Sequence, residues 1–354
     1  MLVRAIPVLP RFPARGPRWT EAIGERVASP VHLWRRSPPP FSVERGLRPI
    51  TRPRVSAVVP PEVSSPSEDL GGGAPSGRCR RYALPMMSPE DAWTIFGRHL
   101  IRYRDPGLTV SAGVADGWFA VLTEIPDIEL NVCALFPPAG RAEASELVAR
   151  IDAVDTPALV FVSRSMDETV RSALGDRGFR PTTTPEPLMW RSGSSALVPK
   201  AASGFTVRRV IEAADLVGLE VILAAAIMMP PEIARRQFAL GRLVGDGLGS
   251  WVAWDDDQPV RAVTLSWDAQ ACAVWEMMTM PAHRRRGAGR AALIAALNDV
   301  LRPSMTGSVL VSTPLGRALY ESLGFVAFDE SITWTRGASA EDLARVGQTS
   351  ATSP

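Results

Sequence analysis

Apolar residues along this chain recur in two periods, and the switches between them mark out the elements. From Ser88 to about Ser192 the pattern predicts a helix near 89–104, a strand pair around 117–122 and 130–136, a helix near 141–151 and a buried strand at 159–163. Ser88-Pro89-Glu90-Asp91 has the marks of a helix start: an N-cap hydroxyl, proline at the first helical position and an acid three residues on. A second region opens with a strand at 206–210 and a helical stretch over 213–243, interrupted at Pro230-Pro231. Strands at 251–254 and 262–267 read as an antiparallel pair turning around 255–258. AVWEMMTM at 273–280 is a mostly apolar strand, and AALIAALNDVL from Ala291 puts apolar residues at helical spacing. SVLVS at 308–312 is a short buried strand, and TPLGRALYESLGF at 313–325 is a helix ending at Gly324.

The two regions echo each other. LVFVS at 159–163 matches the strand at 309–312, and each is followed by a helix, a Gly-Phe pair (Gly178-Phe179, Gly324-Phe325) and a strand holding Trp190 or Trp334. We read this as a weak internal repeat. Between the regions, residues 193–204 (GSSALVPKAASG) have the composition of a flexible linker.

Composition changes the picture mainly at the ends. Residues 1–84 are rich in Pro and Arg, with PPP at 38–40, GGG at 71–73 and no sustained period, so they are expected to be disordered, as is the 338–354 tail. A basic arm for nucleic acid is the alternative for the first tail, but its arginines lack interleaved stacking aromatics, and no nucleic-acid partner is expected. Met86-Met87, just before the Ser88 helix start, is a candidate beginning for the natural protein. The 354 residues carry a net charge of only +2, which gives no global affinity for polyanions. No apolar run reaches the roughly 18 residues that span a bilayer, so no membrane partner is expected. Three cysteines without ligand spacing and three histidines assemble no metal site, and a reducing cytoplasm is the default compartment.

The chemistry concentrates in PAHRRRGAGRAAL, residues 281–293, which joins the 273–280 strand to the helix from Ala291. The first amides of a helix have no intrahelical partner, and the macrodipole adds about half a positive charge there, so an anion is the natural occupant. Gly287 and Gly289 let phosphate oxygens approach the backbone, while Arg284, Arg285, Arg286 and Arg290 supply fixed charge. An arginine run is by itself more often a solvated face, and a Gly-rich turn an ordinary tight loop. Here both sit at a strand-to-helix junction, and each feature favours a diphosphate.

Arg284-x-x-Gly287-x-Gly289 resembles the acetyl-CoA loop of the GNAT superfamily of N-acetyltransferases, and Tyr320 with Leu323-Gly324-Phe325 resembles the superfamily's second signature, in the same order. The resemblance implies an α/β (α+β) fold of two tandem GNAT-like domains, each a mixed, mostly antiparallel sheet flanked by helices. On that reading residues 85–192 form a degenerate domain and 205–337 the catalytic one. Residues 137–147 (PPAGRAEASEL), at the equivalent of the diphosphate loop, lack Gly-x-Gly and are not expected to hold CoA in the usual way. In the second region the resemblance assigns acetyl-CoA, as co-substrate and without metal, to the backbone of Met278, Thr279 and Met280 and to the loop residues Arg284, Arg285, Arg286, Gly287, Ala288, Gly289 and Arg290.

Acyl transfer to an amine needs a base or water relay to deprotonate the ammonium and an acid for the leaving thiolate. By resemblance Tyr320 is the general acid; the alternative is a helix tyrosine that only packs its ring. Glu276 is the one acid in its strand and the candidate base, provided that it faces the cleft. Strand parity is at issue, because a one-residue bulge reverses the face, and the alternatives are a carboxylate bound to a neighbouring strand or Arg, or a water chain. His283 reads as a loop residue. ILAAAIMMPPEIARRQF at 222–238 is either acceptor lining or core. The expected acceptor is a small-molecule amine or a protein amino group, with a catalytically silent CoA-binding module as the alternative to an enzyme. Nothing in the sequence sets the oligomeric state.

Overall fold

The structure is a computed structural model, and it describes residues 87–199, 204–339 and 342–343, apart from positions 228, 230 and 246. All of these fall within one compact unit, Cys79–Pro354. The 1–84 tail, the Met86 start position, the end of the linker and most of the 338–354 tail lie outside the described residues.

The first half consists of α1 (Pro89–Tyr103), β1 (Thr109–Ala115), β2 (Trp118–Thr123), β3 (Val132–Leu135), α2 (Arg141–Val154), β4 (Ala158–Ser163), α3 (Glu168–Gly175) and β5 (Arg180–Ser192). The second consists of β6 (Thr206–Arg209), α4 (Ala213–Ile227), α5 (Pro231–Gln237), α6 (Leu240–Leu243), β7 (Leu248–Asp255), β8 (Gln258–Trp267), β9 (Ala271–Thr279), α7 (Ala288–Val300), β10 (Gly307–Val311), α8 (Pro314–Glu321) and β11 (Val326–Arg336). Ser88 caps α1, its hydroxyl oxygen accepting the Asp91 amide at 3.0 Å, as the Ser-Pro-Glu-Asp start predicts. β1 escapes the sequence pattern because its half-buried positions include Thr109, Ser111 and Gly113 while Val110 and Ala112 are exposed, so no apolar face marks it.

The strands form a single sheet in the order β1-β2-β3-β4-β11-β5-β10-β9-β8-β7-β6, mostly antiparallel, with helices on both faces. The first half contributes three antiparallel strands and a parallel partner, β1-β2-β3 with β4, and the second contributes four and a parallel partner, β6-β7-β8-β9 with β10. The last strand of each half is exchanged. β11, from the second half, lies antiparallel to β4, while β5, from the first, lies antiparallel to β10, and the two exchanged strands pair with each other. Two domains expected side by side therefore share one continuous sheet. The described part of the linker is also pinned: Leu197 exchanges two hydrogen bonds with the Asn298 side chain on α7, at 2.7 and 2.9 Å, and Arg191 donates to the Ser195 carbonyl at 2.6 Å.

Helix α1 crosses the seam, packing over β1 and β2 and also over β8 and β9. Its core includes Trp93, Phe96, Leu100 and Tyr103, joined by Leu219, Ile222 and Leu223 of α4 and by Trp190, Trp275 and Met278 of the sheet. On the opposite face α7 and α8 cover the second half, and Ala144, Leu147, Val170 and Leu174 of α2 and α3 cover the first. Leu219, Ile222, Leu223 and Phe238 of the 222–238 region and its surroundings are thus core residues. The repeat holds at the Gly-Phe pairs, where Gly178 and Gly324 have φ of 81° and 86° and Phe179 and Phe325 are buried. It breaks at the tryptophans: Trp190 faces α1, whereas Trp334 packs with the cluster on the opposite face.

Because each half is completed by a strand of the other, the chain is expected to melt in one calorimetric transition. Gly97→Ala, whose added methyl meets the Phe119 ring at 2.6 Å, should lower that single transition, at a cost of about 1–3 kcal/mol. Two separate endotherms, of which only one moved, would contradict the shared-sheet architecture.

Candidate active site

β9 and β10 pair only at their beginnings, Ala271 to Ala273 against Gly307 to Val309. Beyond Ala273, β9 keeps β8 on one side and leaves its other edge open towards β10, which continues beside β5. In the first half the equivalent parallel strands stay together, with all four residues of β3 paired to Leu159–Val162 of β4. Only the second half therefore presents an open strand edge between its parallel pair.

The open stretch carries a β-bulge. Ala262 pairs with Met278 and Thr264 with Trp275, so Glu276 and Met277 stand opposite Val263 alone. The extra residue puts Trp275 and Met278, three positions apart, in the same α1-side cluster. Glu276 takes φ of +47°, a left-handed conformation that costs a non-glycine residue about 1–2 kcal/mol. Its carboxylate is on the α1 side, where Oε1 accepts the Tyr103 hydroxyl at 2.6 Å. Tyr103 is buried and stacks on Trp275 with ring centroids 5.1 Å apart. Burial, followed by the nearby Glu276 carboxylate, pushes the phenol well above its ordinary range.

Past the bulge, the Met280 amide donates to the Val260 carbonyl at 2.9 Å and is used within the sheet. Antiparallel alternation then turns the Thr279 amide away from β8, to the open edge. Pro281 ends the strand and begins a single 3-10 turn, Pro281–His283. Arg285 at φ 64° and Gly287 at φ 91° shape the loop, and α7 begins at Ala288 with Gly287 as its N-cap. Asp155 and Asp256 are the other left-handed non-glycine residues among the described ones; aspartate tolerates that conformation, so Glu276 and Arg285 stand out. A Cβ on Gly287 would meet nothing within 4 Å, so the space above the helix start is open.

The loop's arginines divide by task. Arg286 pairs with Asp255 at 2.9 Å, and Arg290 donates to the Ser322 hydroxyl at 2.5 Å, tying α7 to the end of α8. Arg284 and Arg285 are exposed and have no ion pair among the described residues. His283 lies 3.6 Å from Asp255, a loop position as its sequence context suggests. Beneath the loop lies a cation that motif reading missed, Arg261 of β8. It is buried and donates to the Thr279 hydroxyl, its guanidinium carbon would lie 3.0 Å from a Cβ on Gly289, and its Nε has no partner. Burial pulls its pKa down to about 10, Tyr320 opposes that shift and Arg284 adds to it, so the group remains charged at neutral pH. A buried cation under a positive helix terminus, with no carboxylate among the described residues, is a site that calls for an anion. Its signal in the sequence was a lone arginine within the apolar strand VRAVTLSW.

Tyr320 stands on the opposite face from Glu276, buried among α7 and α8 residues and edge-on to Phe325 at 5.9 Å. Its ring lies back along α8, with Cε2 2.9 Å from where a Cβ on Gly316 would be. Burial raises the phenol to about 12, and the Arg261 charge opposes the shift. Glu276 and Tyr320 thus flank the open stretch of β9 from its two faces. The first half has no counterpart to the anion loop: the amide of Gly140, the N-cap of α2, is taken by Glu143 Oε2 at 2.8 Å. A Cβ on Gly117 would lie 2.4 Å from the Ala139 nitrogen, so that loop is packed down on the β1–β2 turn.

Residues 246–327, which span the open edge, the loop and Tyr320, match the acetyltransferase (GNAT) domain family. No curated protein matches the sequence. Among solved structures, a GCN5-related N-acetyltransferase from Kribbella flavida is similar at a TM-score of 0.53 and 18% identity, covering 72% of this chain and 98% of its own. A tandem GNAT protein from the clavulanic acid biosynthesis pathway has a TM-score of 0.45 and 17% identity over 63% of this chain and 79% of its own. A GCN5-related N-acetyltransferase from Sphaerobacter thermophilus has a TM-score of 0.46 and 13% identity over 62% of this chain and 76% of its own. The chain carries a GNAT acetyltransferase domain and has the GNAT fold. The family that residues 246–327 match is one of acetyltransferases, and the match supports an acetyl-CoA-dependent acetyltransferase in general. Among the described residues there is no group of metal-ligating side chains, and no helix is long and apolar enough to cross a membrane.

The residues fit a diphosphate: an open left-handed glycine, free helix amides and a buried guanidinium with no carboxylate partner and an unpartnered Nε meet at one point. Arg261→Gln is expected to weaken CoA binding about tenfold, roughly 1.4 kcal/mol, while leaving acetyl-pantetheine, which lacks the diphosphate, unaffected. Titration calorimetry reads both, and an equal loss for the two ligands would remove Arg261 from the anion site.

Proposed function

We propose that the second half transfers the acetyl group of acetyl-CoA directly to a primary amine, with Glu276 as base and Tyr320 as acid. The observation that carries this reading is the parting of β9 from β10, with an anion site at one end and a carboxylate and a phenol on its two faces. Bound acetyl-CoA supplies the thioester to be attacked. The Thr279 amide on the open edge suits the pantetheine arm, which would lie beside β9 like an added strand. Arg284, Arg285, the α7 amides and Arg261 suit the diphosphate.

On the acceptor side, Glu276 takes a proton from the ammonium, freeing the nitrogen lone pair for the carbonyl carbon. As the C–N bond forms and the C–S bond breaks, Tyr320 passes its proton to the departing sulfur, and the amide nitrogen sheds the proton that restores the phenol. From about 12, against an ordinary thiol near 8.5, that donation is uphill by about 5 kcal/mol. The Arg261 charge favours the phenolate and offsets part of this.

The acceptor is a small-molecule amine or a protein amino group. We read the first half as a degenerate copy that holds no CoA, on the strength of its fully paired β3 and β4 and the Glu143 carboxylate at its loop. The free, buried Cys133 and Cys272 suit a reducing cytoplasm.

Thiol release from acetyl-CoA, measured over arylalkylamines, polyamines, amino sugars and short peptides, tests the reading. At least one amine should raise turnover well above hydrolysis, and Tyr320→Phe should lower kcat about 10²-fold or more. Tight CoA binding without turnover on any amine would identify a silent binding module instead. A phenol raised to about 12 keeps its proton until pH approaches that value, so kcat should show no alkaline limb from Tyr320 below about pH 11.

A further inference from the structure

Tyr103 belongs to the first half, yet its hydroxyl ends on the second half's carboxylate. α1 packs over β8 and β9 as well as over its own strands, so this contact follows from the course of the helix across the seam. The phenol ring is fixed by stacking on Trp275, at 5.1 Å and 11° between planes, and by Phe238 at 6.2 Å. Its hydroxyl has one recorded partner, Glu276 Oε1 at 2.6 Å, which leaves Oε2 of the same carboxylate without a hydrogen-bond partner among the described residues. Glu276 itself sits in a left-handed bulge, a backbone that gives its side chain an orientation regular strand would not.

We propose that Tyr103 is a positioning residue for acyl transfer, holding one oxygen of Glu276 so that the other is presented to the acceptor ammonium, and that the second half's site is therefore incomplete without the first half. The inference rests on the acetyltransferase reading above. Tyr103 can serve only as a donor here, because its buried phenol keeps its proton across any working pH. The other charged groups reaching the pair are Arg104, at the end of α1, and Arg242 of α6, which also donates to the Tyr103 and Arg104 carbonyls at 3.1 and 3.0 Å. Both are held by backbone carbonyls, Arg104 by that of Glu129, so removing the hydroxyl changes one interaction.

Tyr103→Phe keeps the stacked ring and removes the donor. With the full chain, acetyl-CoA and whichever primary amine gives the highest turnover, kcat is expected to fall about tenfold with KM for acetyl-CoA unchanged. Adding Tyr103→Phe to Glu276→Gln should cost nothing further, because the hydroxyl acts through that carboxylate. An unchanged kcat in Tyr103→Phe, or a full additional loss in the double variant, overturns the proposal while leaving the acetyltransferase reading intact. Full activity of Glu276→Gln overturns both the base assignment and the role of Tyr103. Wild-type protein inert toward every amine overturns the acetyltransferase reading, and this role with it.

Discussion

A β-strand needs a neighbour on each side, or it leaves a row of unpaired amides and carbonyls at an edge. In each half of this chain the parallel pair would end in such an edge, at β4 and at β10. β11 covers the first and β5 the second, and their mutual pairing joins the halves into one sheet. Most of the structure's functional geometry depends on this exchange. It brings the two sets of strands close enough for α1 to lie over both, and it is α1 that carries Tyr103 to Glu276.

Two nearly equivalent parallel pairs show what makes a site. β3 and β4 remain hydrogen-bonded along the whole of β3, and a carboxylate of the chain itself satisfies the helix start above them. β9 leaves β10 after a few residues, bulges, and ends in a loop where arginines replace that carboxylate. The electrostatics follow from the geometry. A helix terminus filled by Glu143 is neutralised, whereas one set over the buried Arg261 and flanked by Arg284 and Arg285 is left with an excess of positive charge that a diphosphate balances.

Much of this was legible in the sequence because it depends on local periodicity. The Ser88 cap, the helices from Pro89 and Arg141, the helix read from Ala291 that begins three residues earlier, and the strands holding Val160, Val252 and Val309 are each set by apolar spacing and by caps within a few residues. β1 was not legible, since its exposed positions include Val110 and Ala112 while Thr109, Ser111 and Gly113 are half-buried, so its hydrophobic pattern does not follow its burial. Arg261 left a trace as one charge in an apolar strand. Tyr103 left none, because a tyrosine at the end of an amphipathic helix looks the same whether its hydroxyl meets water or a carboxylate 173 positions away. The parity of Glu276 was open for a similar reason: one residue of bulge decides its face, and a bulge depends on the partner strand.

The sequence by itself determined the type and order of most elements, β1 excepted, and the loop chemistry that marks a GNAT domain, since these rest on backbone preferences and side chains close together in the chain. Tertiary structure alone decided that the halves exchange their last strands, that only one parallel pair opens, and that Glu276 turns toward α1. Each of those outcomes is a competition among long-range backbone pairings with similar local propensity, and only the assembled sheet selects between them.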